Sequence, residues 1–368
     1  MNRLKRAGGS AAALLGAIPK NENLVIGCIM AVLFFVPLVI ASKVIVNIFI
    51  LIFFYILLVE SLNVVNGYSG LFNVGQAGFY CVGAYTAAIL ATRFGVSFWI
   101  LLPLSGFMAS LVSLFLSVPT AKLRGMYFTI VTLGFSEIVR QLTLNWSSLT
   151  RGPRGIANIP APEFFGIPYA RSTFFYYVLF VLTAVMLFFT NRLLKSRLGR
   201  GWLAIREDDA AAASLGVEVV WYKIINFAYS AFWAGVAGCV YVFFQRFVSP
   251  DSFTLDESFN ILAMNVIGGQ GTLLGPIIGA LVINGITEVF RSALQYRMLL
   301  YSALIILMMW LRPQGLVGAV NLMPKFGAEK ESAGDEASAA GEASAGDDSA
   351  AGEDSAVSPD RKGGGASW

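Results

Sequence analysis

Long uninterrupted runs of apolar residues restrict the fold of this chain more than any other feature. Ten such runs lie roughly at 24–42, 44–65, 75–92, 97–118, 126–145, 173–191, 222–246, 257–270, 273–291 and 297–311. A helix needs about 20 apolar residues to cross a hydrocarbon core of about 30 Å. Only 13% of the residues are charged, about half the usual fraction of a soluble domain.

A segment within a bilayer must satisfy its own backbone hydrogen bonds, so it forms either a helix or a strand of a closed barrel. The runs are continuous and lack the period-two alternation of barrel strands. The sequence therefore predicts an all-α integral membrane protein with about ten transmembrane helices, some of them interrupted by glycine.

Several classes of chemistry are disfavoured by what the sequence lacks. There is no histidine, which removes His metal ligands and His-based catalysis. The cysteines Cys28, Cys81 and Cys239 lie inside apolar runs at spacings that fit neither a zinc site nor a disulfide framework. No GxxxxGK[ST] loop occurs, so the chain is not expected to hydrolyse ATP itself. We predict no enzyme activity, no catalytic residue, no metal and no cofactor.

The chain divides by composition into three parts. Residues 1–23 form a short basic tail, 24–318 the membrane domain, and 319–368 an Ala, Ser, Gly, Asp and Glu-rich tail. That last composition cannot bury a core, so we expect disorder there. Lysine and arginine favour the side that carries the N-terminus, 119–125 and 192–221, which predicts cytoplasmic termini by the positive-inside rule.

Two apolar stretches are broken by glycines and polar residues, at 66–78 and 265–276. Broken helices expose backbone groups that attract ions and zwitterions, whereas glycine-rich turns with close helix packing produce the same pattern. Two breaks suggest an internal duplication around a midplane site, although the halves do not align. The candidate pathway residues in these breaks are Ser69, Asn73, Gln76, Gly268, Gly269 and Gln270.

A polar stripe follows one face of the predicted helix 126–145. Thr129, Thr132, Ser136 and Arg140 recur at spacings of three and four residues, which places them on one side. The first three are further candidates for the pathway. Glu137 is three residues from Arg140, close enough to pair. Pairing is the favoured interpretation, because a charge near the membrane centre is costly.

The segment 199–216 is charged and does not span. Asp208 or Asp209 suits a helix N-cap, alanines follow, and Gly216 suits the residue after the helix. A short helix presented to the cytoplasm is typical of a docking element, and an interfacial loop without a partner is the alternative. The candidate coupling residues are Gly201, Ala204, Arg206, Glu207, Asp208, Asp209 and Gly216.

These segments, in this order, resemble the permease subunits of bacterial branched-chain amino-acid ABC importers, specifically the LivM-type member of a LivH/LivM pair. The resemblance covers roughly residues 44–318. The matching motifs are Gly70–Gly75 through Gly83-Ala84-Tyr85, Tyr127–Leu133, Ala204–Asp208, Gly268–Thr272 to Gly275-Pro276, and Arg312–Leu316.

The resemblance implies an ABC importer permease fold in the bacterial inner membrane and a set of partners. These partners are a second, LivH-like permease subunit, two ATPase subunits that use ATP, and a periplasmic binding protein that delivers the amino acid. It also implies that 199–216 docks into an ATPase groove. Lipid surrounds such a protein, and no nucleic acid is expected.

The sequence departs from the family pattern at residues 149–155, where Arg151 and Arg154 replace a Thr-Gly-Gly-type turn. Import of Leu, Ile and Val is the leading hypothesis. Alternatives are a urea, amide or other amino-acid ABC permease and an ion-coupled secondary transporter, which would use the membrane carboxylates Glu60, Glu137 and Glu288. A non-transporting scaffold ranks last.

Overall fold

The structure, a computed structural model, describes residues 43–121, 123, 125–164, 167–168, 172–289 and 315–316, with the single positions 27, 33 and 37. Within these residues the framework is helical. The longer helices are α1 (Lys43–Asn63), α2 (Gln76–Phe94), α3 (Phe98–Thr120), α4 (Met126–Asn145), α6 (Ser172–Leu194), α7 (Arg197–Glu207), α9 (Val219–Gln245), α10 (Leu255–Gly268) and α11 (Leu274–Val289).

The shorter elements are α5 (Ser147–Thr150), α8 (Asp209–Ser214), a π-helical turn at Val64–Tyr68, and 3-10 turns at Gly152–Arg154 and Pro250–Phe253. Four two-residue strands also occur: β1 (Ile156–Ala157), β2 (Glu163–Phe164), β3 (Ile167–Pro168) and β4 (Phe247–Val248). β1 pairs antiparallel with β4, Ile156 opposite Val248, and β2 pairs antiparallel with β3.

Helix α9 lies at the centre of the packing, against α2 and α3, and small residues make the approach close. A methyl carbon placed on Gly235 would lie 2.5 Å from the carbonyl oxygen of Ser105, and one on Gly238 would lie 2.5 Å from that of Tyr80. Without a hydrophobic force between helices in lipid, close backbone packing supplies much of the association energy. These glycines therefore set the spacing of the bundle.

The bundle has two ends, which we name after Arg206 and Arg93. At the Arg93 end, Nη2 of Arg93 donates to the carbonyl of Ser148 at 2.5 Å, and β1 pairs with β4. At the Arg206 end lie α7 and α8. Helix α1 leads to the Arg206 end, and α2 leads back to the Arg93 end.

The predicted all-α membrane fold is confirmed. Four of the described helices are long and apolar enough to cross a membrane, Val44–Tyr68, Phe98–Thr120, Ser172–Leu194 and Val219–Gln245. In the described part of the chain, eight predicted spans coincide with helices α1–α4, α6 and α9–α11. The predicted spans 24–42 and 297–311 and both predicted tails lie outside the described residues, apart from three single positions.

The stretch 257–291 forms two helices joined by a turn. α10 and α11 pack antiparallel, and Nδ2 of Asn284 lies 3.9 Å from Sδ of Met264. Gly269 and Gly271 in the turn have φ values of 114° and 81°, a region open mainly to glycine. The backbone N–H of Leu316 donates to the carbonyl of Ile267 at 2.9 Å, which places Leu316 against the C-terminal end of α10.

Candidate functional site

The two glycine-rich breaks meet at a single buried amide. Nδ2 of Asn63, at the end of α1, donates to the carbonyl of Thr272 at 2.9 Å, and its Oδ1 accepts from the N–H of Gly271 at 2.9 Å. Gly67 also lies against the backbone of Gly271, too close for any side chain. Asn63 thus satisfies backbone groups that the second break leaves without helical partners.

The two breaks meet at the Arg206 end, and the midplane site that the sequence suggested stays a prediction. The helical stretch Val44–Tyr68, which leads into the first break, has 25 residues, about 37 Å at 1.5 Å per residue. The chain then turns back along α1. The N–H of Leu71 donates to the carbonyl of Val65, and Nε2 of Gln76 donates to Oγ of Ser61 at 2.6 Å.

The polar residues of the first break bond to one another. Asn66 and Asn73 form two hydrogen bonds, from Asn73 N–H to Oδ1 of Asn66 at 3.0 Å and from Nδ2 of Asn66 to the carbonyl of Asn73 at 3.3 Å. Nδ2 of Asn73 donates to Oε1 of Gln76, and Oγ of Ser69 donates to the carbonyl of Val65. Ser69, Asn73 and Gln76 are buried. In this conformation these candidate pathway residues hold the break in shape.

The polar stripe on α4 packs against the same break. Oγ1 of Thr129 donates to the carbonyl of Phe72 at 2.8 Å, and Oγ1 of Thr132 accepts from the N–H of Val74 at 3.3 Å. Ser136 is buried beside Gly78, and its hydroxyl has no hydrogen-bond partner among the described residues. The stripe is therefore one wall of the first break.

The predicted pair of Glu137 and Arg140 is confirmed. Nη2 of Arg140 lies 2.6 Å from Oε1 of Glu137, Nε lies 3.0 Å from Oε2, and Nε2 of Gln141 donates to the same carboxylate at 2.8 Å. The fork-to-fork geometry is the strong form of this interaction. Pairing lowers the cost of placing two charges on one helix of a membrane protein.

The predicted docking segment forms α7 and α8. The carboxylate of Asp208 accepts from the N–H groups of Ala210 and Ala211 at 2.6 and 2.8 Å, so it is the N-cap of α8. Gly216 follows α8 with φ of 84°. Both features agree with the sequence prediction. Asp209 instead points inward, where its Oδ2 lies 2.6 Å from Nζ of the buried Lys223 on α9.

Helix α7 packs directly on the first break. Trp202 is fully buried with Val64 and Tyr68, and its Nε1 donates to the carbonyl of Tyr222 at 3.0 Å. Gly201 lies under the Tyr222 ring with no room for a side chain. In contrast, Glu207 and Asp208 are exposed and Ala204 is partly exposed, so α7 has an inner apolar face and an outer polar face.

Within the second break, Gly268 and Gly269 are buried, and Gln270 beside them is partly exposed. Gly268 lies against Gly275 and Gly279 of α11. The glycines of this motif thus allow two helices to approach closely at the turn. Because glycine has no side chain, these residues contribute only backbone N–H and carbonyl groups to the site.

Sequence reasoning missed three residues that build this site: Asn63, Trp202 and Lys223. Leu198, Trp202 and Ile205 recur at spacings of four and three residues, a helical period that could have indicated the buried face of α7. No comparable signal exists for Asn63. Among the described residues, no cluster of three or more His, Cys, Asp or Glu side chains could hold a metal ion.

Comparison with known proteins identifies the group of proteins that shares these features. The family model described as the permease component of the branched-chain amino acid transport system matches residues 44–311. This chain belongs to that family. It is a transport subunit rather than an enzyme, and a multi-pass membrane protein. No solved structure matches the chain.

Among the relatives is the LivM permease protein of the high-affinity branched-chain amino acid transport system of Salmonella typhimurium, 43% identical over 286 residues, which are 72% of this chain and 67% of the relative. LivM of Escherichia coli is 42% identical over 301 residues, 75% of this chain and 71% of the relative. A probable LivM from Methanocaldococcus jannaschii is 24% identical over 311 residues, 72% of this chain and 90% of the relative.

Proposed function

We propose that this permease subunit carries leucine, isoleucine and valine across the bacterial inner membrane, together with a second permease subunit. Two separate ATPase subunits supply the energy, and a periplasmic binding protein delivers the substrate. The observation that carries the proposal is the identity of 42–43% to two LivM permeases along about three quarters of the chain. In this arrangement the Arg206 end and both termini face the cytoplasm.

The structure of α7 and α8 supports a docking role for residues 199–216. Trp202 and the pair of Asp209 with Lys223 fix these helices to the bundle. The opposite face is exposed, and Leu215 on it is 83% exposed. A large apolar side chain exposed at the C-terminal end of α8, outside any spanning helix, is typical of an interface anchor.

Uptake of labelled leucine tests the substrate. A strain that lacks this gene should lose high-affinity leucine uptake and regain it when the gene is restored. Unchanged leucine uptake together with lost uptake of urea or a short amide would contradict the assignment and favour the related permeases that carry those compounds.

Co-purification of the ATPase tests docking. Leu215→Glu should weaken retention of the ATPase by about 30-fold, equivalent to about 2 kcal/mol for an interface hot spot, while the chain still inserts into the membrane. Phe247→Glu, an exposed apolar residue at the Arg93 end, is the control and should retain the ATPase. Equal retention in both variants would place docking elsewhere.

An ion-coupled transporter is the second candidate, and the buried carboxyl of Glu60 favours it. Glu60 is 1% exposed, and its only hydrogen bond among the described residues is with Nδ2 of Asn63 at 3.3 Å. Glu207→Ala separates the two candidates. Full uptake by this variant without any ATPase subunit would establish the ion-coupled mechanism.

A further inference from the structure

Arg206 lies where three segments that are distant in the sequence come together. A methyl carbon placed on Gly70 would lie 3.0 Å from Cγ and 3.3 Å from Cα of Arg206. One placed on Gly271 would lie 2.6 Å from Nη1 and 3.6 Å from Cζ. The side chain, although exposed to solvent, therefore extends from α7 across the first break to the second.

Both glycines follow the C-terminal end of a helix. Gly70 comes two residues after the π-helical turn, which ends at Tyr68, and Gly271 comes shortly after α10, which ends at Gly268. The last carbonyls of a helix lack intrahelical partners and carry a partial negative charge. The guanidinium keeps its positive charge at any physiological pH, so Arg206 suits the point where two such ends converge.

The absence of side chains at both positions is a geometric requirement. Gly70 and Gly271 have φ values of 68° and 81°, and either would displace Arg206 if it carried a Cβ atom. One arginine and two glycines thus form a fitted contact between a helix at the bundle end and the two broken segments.

We infer that Arg206 is a positioning residue that transmits movement of the docked segment to both breaks at once. This inference rests on the proposed function. A displacement of α7 by the ATPase reaches Gly70 and Gly271 through a single side chain, while Trp202 keeps α7 on Val64 and Tyr68. Arg206 acts within this chain and not in the contact with the ATPase.

The test uses the complete transporter in nanodiscs, with both permease subunits, the ATPases and the binding protein. Arg206→Ala should retain the ATPase at the wild-type ratio, whereas substrate-stimulated ATP hydrolysis and uptake fall about tenfold, because the side chain that reaches both breaks is lost. Arg206→Lys should recover only part of the lost activity, because lysine lacks the planar guanidinium that lies against Gly271. Arg197→Ala, an exposed arginine on the same helix, is the control.

Glycine substitutions test the same contact from the other side. Gly271→Ala should reproduce the loss of coupling, and adding it to Arg206→Ala should cause little further loss, because the two changes remove one interaction. Gly95→Ala controls for backbone strain, since Gly95 has φ of 61° but open space around it.

Two results would overturn the inference: loss of the ATPase from the Arg206→Ala complex, or full stimulation in both the Arg206→Ala and Gly271→Ala complexes. Failure of the wild-type chain to bind any ATPase would instead reject the proposed function. The two failures are therefore distinguishable.

Discussion

The side-chain amide of Asn63 joins α1 to the turn between α10 and α11. It is 0% exposed and serves both the N–H of Gly271 and the carbonyl of Thr272. An unsatisfied buried polar group costs about 1–3 kcal/mol, so the amide stabilises the turn mainly by leaving no backbone group unpaired.

We expect Asn63→Ala to lower the unfolding midpoint of the detergent-purified protein, with a loss of about 2–4 kcal/mol for two backbone groups left unpaired. Asn145→Ala is the matched control, because the Asn145 amide also donates to a backbone carbonyl but is exposed. A thermal unfolding assay compares the two variants. Equal midpoints would show that the buried Asn63 amide stabilises the protein no more than the exposed Asn145 amide does.

Glycines within the helices make a second residue-scale prediction. Gly235→Leu should prevent α9 from packing on α3, since even a methyl carbon there would lie 2.5 Å from the Ser105 carbonyl oxygen. The yield of monodisperse protein on size exclusion should fall severely, because overpacking costs at least about 1–3 kcal/mol. Gly285→Ala, with open space around it, should be tolerated, and aggregation of that control would contradict the steric argument.

At the scale of elements, the docking helices depend on their inner faces. Among the described residues, Trp202 is the largest fully buried side chain, and truncation of a buried aromatic costs about 3–5 kcal/mol. Trp202→Ala should therefore release α7 and increase tryptic cleavage after Arg197 and Arg200. Trp221→Ala serves as control because Trp221 is 57% exposed. Wild-type cleavage rates in the Trp202 variant would show that other contacts hold α7.

The pair of Asp209 and Lys223 gives an independent prediction for α8. Lys223→Met alone should destabilise the α8–α9 contact by about 3–5 kcal/mol, because it removes the cation that lies 2.6 Å from a shielded carboxylate. The double variant Lys223→Met with Asp209→Leu should regain most of that loss. Hydrogen exchange of the α8 backbone amides measures the stability of the contact. If the double variant loses as much protection as the two single variants together, the prediction is contradicted.

At the scale of the whole molecule, the sequence predicts most of what is local and little of what is distant. The N-cap at Asp208, the left-handed Gly216 and the pair of Glu137 with Arg140 each depend on residues within four positions of one another. Asn63 and Gly271 are 208 residues apart, and no helical period relates them. The sequence therefore predicts that both apolar stretches are interrupted. It does not predict that the two interruptions contact each other, or that Arg206 lies between them.

The arrangement of the two ends predicts how the chain lies in the membrane. In a Cys28→Ser background, the remaining Cys81 and Cys239 are buried, so an introduced cysteine dominates labelling. Ser214→Cys on α8 should react with an impermeant maleimide only after the membrane is opened, and Asn158→Cys beside β1 should react in intact spheroplasts. The reverse pattern would invert the proposed orientation.

The bond between Asn63 and the second break also has a consequence for the order of events during synthesis. At roughly 5–20 residues per second, the ribosome takes about 10–40 s to make the 208 residues that separate Asn63 from Gly271. Throughout that interval the amide is in the membrane without its final partners. Glu60 lies one helical turn away and accepts from Nδ2 of Asn63 at 3.3 Å in the folded chain. Because both residues are on α1, the carboxyl can accept this hydrogen bond as soon as α1 is inserted. The buried carboxyl of Glu60 is thus suited to stabilise the Asn63 amide during synthesis, before the second break is made.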